Sequence, residues 1–237
     1  MTSAPRPRRP ARSHEPGPRT RRLAGLALAA ALIASLAFGI SQCRADGHPK
    51  QYPAWADGSV HGRWQSVFNG HGTTGGDDRD LDLSPQPATD PGTTHAALVV
   101  STAAYRNVDY RARMRTVRQL RTPKPNGWEV PWLVWAYTDP EHFYYIALKP
   151  NGWELGKRDP AYPGGQRFLA TGQQPFPVGD WSSVRIEQRG ARLKVAVDGS
   201  GLADFTDGER PYAQGRVGAY AEDARVEFRD VSSDSGS

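Results

Sequence analysis

Beyond residue 45 no stretch of the chain carries the apolar spacing of an amphipathic helix, and turn residues interrupt it roughly every ten residues. That pattern excludes helical bundles and βαβ units. It leaves many short strands separated by Gly and Pro, which must pack as a sandwich or jelly roll. Val108–Thr116 is the clearest strand. Val108, Tyr110, Ala112 and Met114 share one face, and Asp109, Arg111, Arg113 and Arg115 share the other. A period of two marks an antiparallel strand with one buried face. Val184 to Ile186 and Leu193 to Val197 alternate in the same way around Gly190, so they form a hairpin, and Asp198-Gly199 makes the next turn. A last alternating pair covers Arg216–Tyr220 and Arg225–Phe228. At the other end Trp64–Phe68 opens the strands, and Asn69–Asp80 is a Gly/Asp loop.

The middle of the chain breaks the alternation. Trp132–Tyr137 and Phe143–Leu148 are apolar at every position, and Asp139-Pro140 between them makes a hairpin. Strands of this kind bury one face in the core, and the second, ring-rich face must be covered or line a groove. In the following run, Trp153–Arg158, Glu154, Gly156 and Arg158 share a face, and a strand glycine marks a close approach to the backbone. Tyr145 and Lys149 share a face of the strand before it.

The same region holds a duplication. Lys-Pro-Asn-Gly-Trp-Glu occurs at Lys124–Glu129 and again at Lys149–Glu154. Pro-Asn-Gly is turn chemistry, so each copy is expected to launch a strand that begins Trp-Glu. An indole stacks on the CH face of a sugar while a carboxylate takes its hydroxyls. The plainer alternative is two hairpins with good turns and two tryptophans in a core.

Residues 1–45 read as a basic leader followed by a signal peptide or signal-anchor helix. Seven Arg precede the uncharged run Leu23–Ile40, a pattern that directs export. Cleavage after Ala45 gives one outcome and a retained anchor the other. Arg21-Arg22 and Cys43 fit twin-arginine export and lipidation poorly. Without the leader, 22 basic residues face 24 acidic ones, so the basic charge of the whole chain makes no case for nucleic acid. No Cys follows residue 43, so the exported part must rest on a hydrophobic core. Residues 46–62, rich in Pro, Gly and Asp, read as a linker, 63–232 as the folded domain and 233–237 as a disordered tail.

Three segments carry a resemblance: Asp180–Ile186, Leu193–Gly199, and Gly215–Tyr220 through Val226–Val231. They resemble the C-terminal strands of concanavalin A-like jelly rolls, above all the domain of 3-keto-disaccharide hydrolases and family-sixteen-like glycosidases. The resemblance covers residues 60–232. It implies a two-sheet antiparallel jelly-roll sandwich that handles glycans outside the cytoplasm, either secreted or attached to the outer face of the membrane. The Glu-x-Asp-x-x-Glu strand of laminarinase-type glucanases is absent here. That removes the double-displacement mechanism best known on this fold.

The expected site follows from these readings. Trp128, Trp135, Tyr137, Tyr145 and Trp153 would stack on sugar rings. Lys149, Lys157, Gln166 and Arg167 would bond to hydroxyls, and His142 would bind ligand or relay a proton. Were the chain a hydrolase, Glu154 and Glu129 would be its paired carboxyls, since glycoside hydrolysis uses two. Asp77, Asp78 and Asp80 crowd one loop and could hold a structural calcium, which the resemblance favours; no other cofactor is required. Carbohydrate is the expected partner. The membrane enters only through an uncleaved N-terminal segment. A glycan hydrolase and a cell-envelope protein-interaction module remain the alternatives to a binding domain.

Overall fold

In the computed structural model, residues 51–236 of the 237-residue chain are described. The leader, the signal or anchor helix, Cys43 and the cleavage point after Ala45 lie outside the described residues. Among those residues there is no α-helix, and no helix long and apolar enough to cross a membrane.

Fifteen strands form two antiparallel sheets. They are β1 (Val60–His61), β2 (Trp64–Phe68), β3 (Thr73–Gly76), β4 (Leu81–Ser84), β5 (Ala96–Tyr105), β6 (Val108–Gln119), β7 (Pro131–Asp139), β8 (His142–Lys149), β9 (Gly152–Arg158), β10 (Gln166–Gly172), β11 (Ser182–Arg189), β12 (Arg192–Val197), β13 (Ser200–Thr206), β14 (Gly215–Glu222) and β15 (Ala224–Ser235). One sheet has eight strands in the order β1-β2-β5-β14-β7-β8-β9-β10, and the other has seven in the order β13-β12-β11-β6-β15-β4-β3. The result is an all-β sandwich of the jelly-roll type.

The inner faces of the two sheets meet in one core. The eight-stranded sheet contributes Trp64, Leu133, Trp135, Tyr144, Ile146 and Leu155, and the seven-stranded sheet contributes Leu83, Tyr110, Met114, Ile186, Val195 and Phe228. The alternation of β6 is realised: Val108, Tyr110, Ala112 and Met114 are buried while Arg111 and Arg113 are exposed. Asp109 on the outer face holds both Arg111 and Arg185.

The strands differ from expectation in three places. Residues 46–62 are not all linker: Trp55 packs in the core at 5% exposure, and β1 pairs with β2. Asn69–Asp80 is not all loop, because Thr73–Gly76 pairs with β4. The tail is not disordered throughout, since β15 runs to Ser235 against β6. The last alternating pair divides between the sheets: β14 belongs to the eight-stranded sheet and β15 to the other, and the chain crosses at Asp223 with φ 40°. β1 and β3 are too short for alternation to reveal, and the tail is fixed by β6, far away in sequence.

Candidate functional site

Strands β7, β8 and β9 bury both faces, and the second face carries the site. Leu133 and Trp135 point between the sheets, and Trp132 and Val134 point away. At Ala136 a positive φ of 50° and a bulge reset the alternation, so Ala136 also faces inward and Tyr137 outward. On β8, Tyr144, Ile146 and Leu148 face inward, and Phe143, Tyr145 and Ala147 face outward. Leu98 and Val100 of β5 complete this outer layer, with Phe68 and Tyr220 packed against it.

Rings pave the layer. Trp132 stacks on Tyr145 at 4.5 Å and 27°, and Tyr220 tilts against Trp132 at 5.1 Å. Tyr145 can lie flat because its register partner on β9 is Gly156, where any Cβ would collide with the phenol. Something does approach the strand glycine closely, and it is this ring. A hollow of about 350 Å³ opens over the layer. Phe68, Leu98, Trp132, Phe143 and Tyr220 line it, with Trp128, Pro140 and Phe168 around them. Trp128 and Phe168 are 46% and 58% exposed. Four polar side chains also line it: Glu154 and Arg158 from β9, Gln166 from β10 and Glu222 from β14.

Each acid has an internal partner. Lys149 Nζ donates to Glu154 Oε2 at 2.5 Å, and Tyr220 Oη donates to Glu222 Oε1 at 2.5 Å. Burial pushes the Glu222 carboxyl above its ordinary range, and the negative Asp223 adds to this; the Tyr220 hydroxyl and Arg158 oppose it. Burial also raises the Tyr145 and Tyr220 phenols well above their usual range, so both stay protonated donors. Gln166 Nε2 donates to the Tyr145 hydroxyl.

The duplicated hexapeptide delivers opposite results. In the second copy Gly152 starts β9, Trp153 enters the inter-sheet core at 9% exposure, and Glu154 faces the hollow. The first copy launches no strand at Trp-Glu, because β7 begins only at Pro131. There Trp128 faces out over the hollow and Glu129 is fully buried. Glu129 pairs with Arg121, which also reaches Asp223 at 2.7 Å, and Asn126 Nδ2 donates to it at 2.9 Å. The two turns abut: a Cβ on Gly127 would lie 2.9 Å from Asn151 Oδ1.

Other expected site residues lie elsewhere. Trp135 is fully buried between the sheets and offers no face to a ligand, because its β7 position is in the inward phase. Lys157 also points inward and is fully buried; it pairs with Asp207 at 2.8 Å and donates to the carbonyls of Glu209 and Arg210. Arg167 bonds Tyr162 and Glu209. Tyr137 packs on Phe143, beyond the lining of the hollow. His142 Nδ1 sits 2.9 Å from Asp139 at the hairpin turn. Glu129 lines no part of the hollow, so it does not face Glu154 across it. Trp128, Glu154 and Gln166 do line it, Tyr145 is buried in the outer layer with its ring stacked on the lining Trp132, and Lys149 braces Glu154.

Asp77, Asp78 and Asp80 accept hydrogen bonds from within the protein. Asp77 Oδ1 accepts the amides of Arg79 and Asp80, and Asp78 Oδ1 accepts that of Arg63. Asp80 takes the Tyr52 hydroxyl and the Asp230 amide. Among the described residues no group of three or more His, Cys, Asp or Glu could hold a metal ion.

Trp132, Phe143, Phe168, Arg158, Tyr220 and Glu222 were not expected in the site. The phase of β14 carries a signal for the last two: Val217, Ala219 and Ala221 point inward, which sets Tyr220 and Glu222 outward.

Comparison with known proteins agrees with this architecture. The family described as the 3-keto-alpha-glucoside-1,2-lyase-like domain matches residues 55–232. The carbohydrate-binding module CBM66 from Bacillus subtilis is similar in fold, with a TM-score of 0.53 and 18% identity, covering 78% of this chain and 100% of that one. The exoplasmic/lumenal domain of VIP36, in its Ca2+/Man3GlcNAc-bound form, has a TM-score of 0.50 and 11% identity, covering 74% and 86%. No curated protein matches the chain.

Proposed function

Because the chain belongs to the family of 3-keto-alpha-glucoside-1,2-lyase-like domains, we propose that the hollow on its eight-stranded sheet binds a saccharide outside the cytoplasm. One observation carries this reading. A single hollow of about 350 Å³ joins ring faces with a carboxylate pair, a guanidinium and an amide. Ring faces take the apolar side of a sugar, and convergent polar groups fix its hydroxyls. CBM66 is by name a carbohydrate-binding module, and the VIP36 domain holds Man3GlcNAc; both support the same class of ligand. The location rests on the basic leader and the apolar run after it.

Calorimetric titration of plant, fungal and bacterial glycans into the protein tests the reading. Trp128→Ala should weaken binding about tenfold or more and leave the fold intact, since Trp128 is 46% exposed. If no glycan binds, or if Trp128→Ala binds like the parent, the site is misassigned.

A second reading is enzymatic, and the pairing of Glu154 and Glu222 in one hollow favours it. The family description names a 1,2-elimination on a 3-keto glucoside. In such a step a base takes the C2 proton, and the electron pair forms the C1–C2 double bond. The C1–O bond breaks, and the leaving oxygen gains a proton. Glu222, whose proton affinity burial raises, suits the base. Glu154, paired with Lys149, would hold hydroxyls. Release of the unsaturated keto sugar, lost in Glu222→Gln, is the expected product test.

A further inference from the structure

Arg158 is set apart from the other arginines around the site. Arg121, Arg167 and Arg210 each pair with a carboxylate. The Arg158 guanidinium lines the hollow, and among the described residues it has no hydrogen bond, ion pair or ring contact. Two acids share the hollow with it, yet Glu154 takes Lys149 and Glu222 takes Tyr220. Gly165, at φ 66°, flanks the group without a side chain to bond it: a Cβ there would lie in ordinary contact, 3.5 Å from Arg158 Nη2. Its charge is felt by Glu222, Tyr145 and Tyr220. A half-buried, unpaired guanidinium has lost water without gaining a partner, and its planar fork suits an anionic oxygen.

The two acids oppose a ligand that arrives as an anion. A neutral ligand that becomes anionic during reaction meets no such opposition, because one acid is neutralised as the ligand takes up the charge. Building on the elimination reading, we infer that Arg158 is a catalytic residue whose guanidinium holds the carbonyl oxygen of the oxidised sugar as that oxygen becomes an enolate. Glu222 takes the C2 proton. The C–H electron pair becomes the C2–C3 double bond, and the carbonyl π pair moves onto the oxygen facing Arg158. Collapse of that enolate reforms the carbonyl and expels the C1 oxygen. Proton return from solvent reverses the first step. No oxidant or reductant is consumed, and the donor acts only where charge develops.

The test follows exchange of the C2 proton by NMR, with methyl 3-keto-α-glucoside in deuterated buffer. Binding of the same compound and of its unoxidised parent is measured alongside. Wild type should exchange C2 well above the buffer rate. Arg158→Gln should slow exchange at least tenfold while keeping the melting temperature within a few degrees, and Arg158→Lys should recover part of the rate. Exchange at the wild-type rate in Arg158→Gln overturns the inference and leaves elimination standing. No exchange in wild type overturns both, and glycan binding in that case still supports the saccharide site. Should Arg158→Gln unfold, Arg158→Lys and the pH profile of its exchange decide: an unchanged rate and profile count against the role.

Discussion

Two tryptophans in the same hexapeptide should behave differently when truncated. Trp153 fills the inter-sheet core, so Trp153→Ala should cost about 3–5 kcal/mol in a denaturant titration. Trp128→Ala should cost less than about 1 kcal/mol and act on binding instead. The repeat announced two turns and two indoles but gave no means of telling them apart. Their fates depend on whether the next residues enter a strand, and on Arg121 lying ready to bury Glu129. Glu222 gives a second prediction. Burial raises its folded pKa, so the native state binds that proton more tightly than the unfolded chain does. Asp223, Glu129, Arg158 and the Tyr220 hydroxyl act on it, and the net effect remains upward. The charged form therefore costs stability as pH rises from the ordinary carboxyl range, about 4.3, through the folded value. Glu222→Gln should melt higher than wild type at neutral pH, with the gap closing in acid. A gap that widened in acid would reverse the assignment.

Strand phase decides which chemistry a residue can enter. On β9 the inward phase holds Trp153, Leu155 and Lys157, and the outward phase holds Glu154, Gly156 and Arg158. That division was legible from alternation, as were the β6 face, the β7–β8 hairpin and the β11–β12 hairpin. The bulge at Ala136 was not, since it depends on a single positive φ that no Gly or Asn signals. Nor was the place of β14 between β5 and β7, a pairing with partners far apart in sequence. Without it Tyr220 and Glu222 had no visible link to Trp132 and Glu154. Gly156 supplies the prediction here. Gly156→Ala forces its methyl into Tyr145, so the ring must shift against Trp132, which lines the hollow. The variant should lose about 1–3 kcal/mol of stability and weaken glycan binding together, and full binding with unchanged stability would contradict the packing.

The sandwich as a whole is tied by charge as well as by apolar contact. Lys157 of the eight-stranded sheet and Asp207, which follows β13 of the other, are both fully buried, and Tyr144 donates to the same Asp207 oxygen at 2.7 Å. Lys157→Met should destabilise by about 3–5 kcal/mol, because it removes the close cation from buried Asp207 and leaves only Arg167, 3.9 Å away. Lys157→Met with Asp207→Leu should recover much of that loss, and chemical denaturation of the three proteins reads the difference. On the opposite surface Arg185 and Arg111 hold the Asp109 carboxyl at about 2. Its stabilising effect is present at neutral pH and disappears as pH falls through that value, so Asp109→Asn should melt lower than wild type at pH 7 and match it near pH 2. The two-sided strands carry one more consequence. Because neighbouring side chains along β7, β8 and β9 serve opposite faces, the ligand face can be rewritten position by position while the seal behind it stays untouched. A library confined to alternate positions of these strands would change the preference of the proposed saccharide site without retooling the scaffold, whereas inserting a single residue there would exchange the two faces and abolish both.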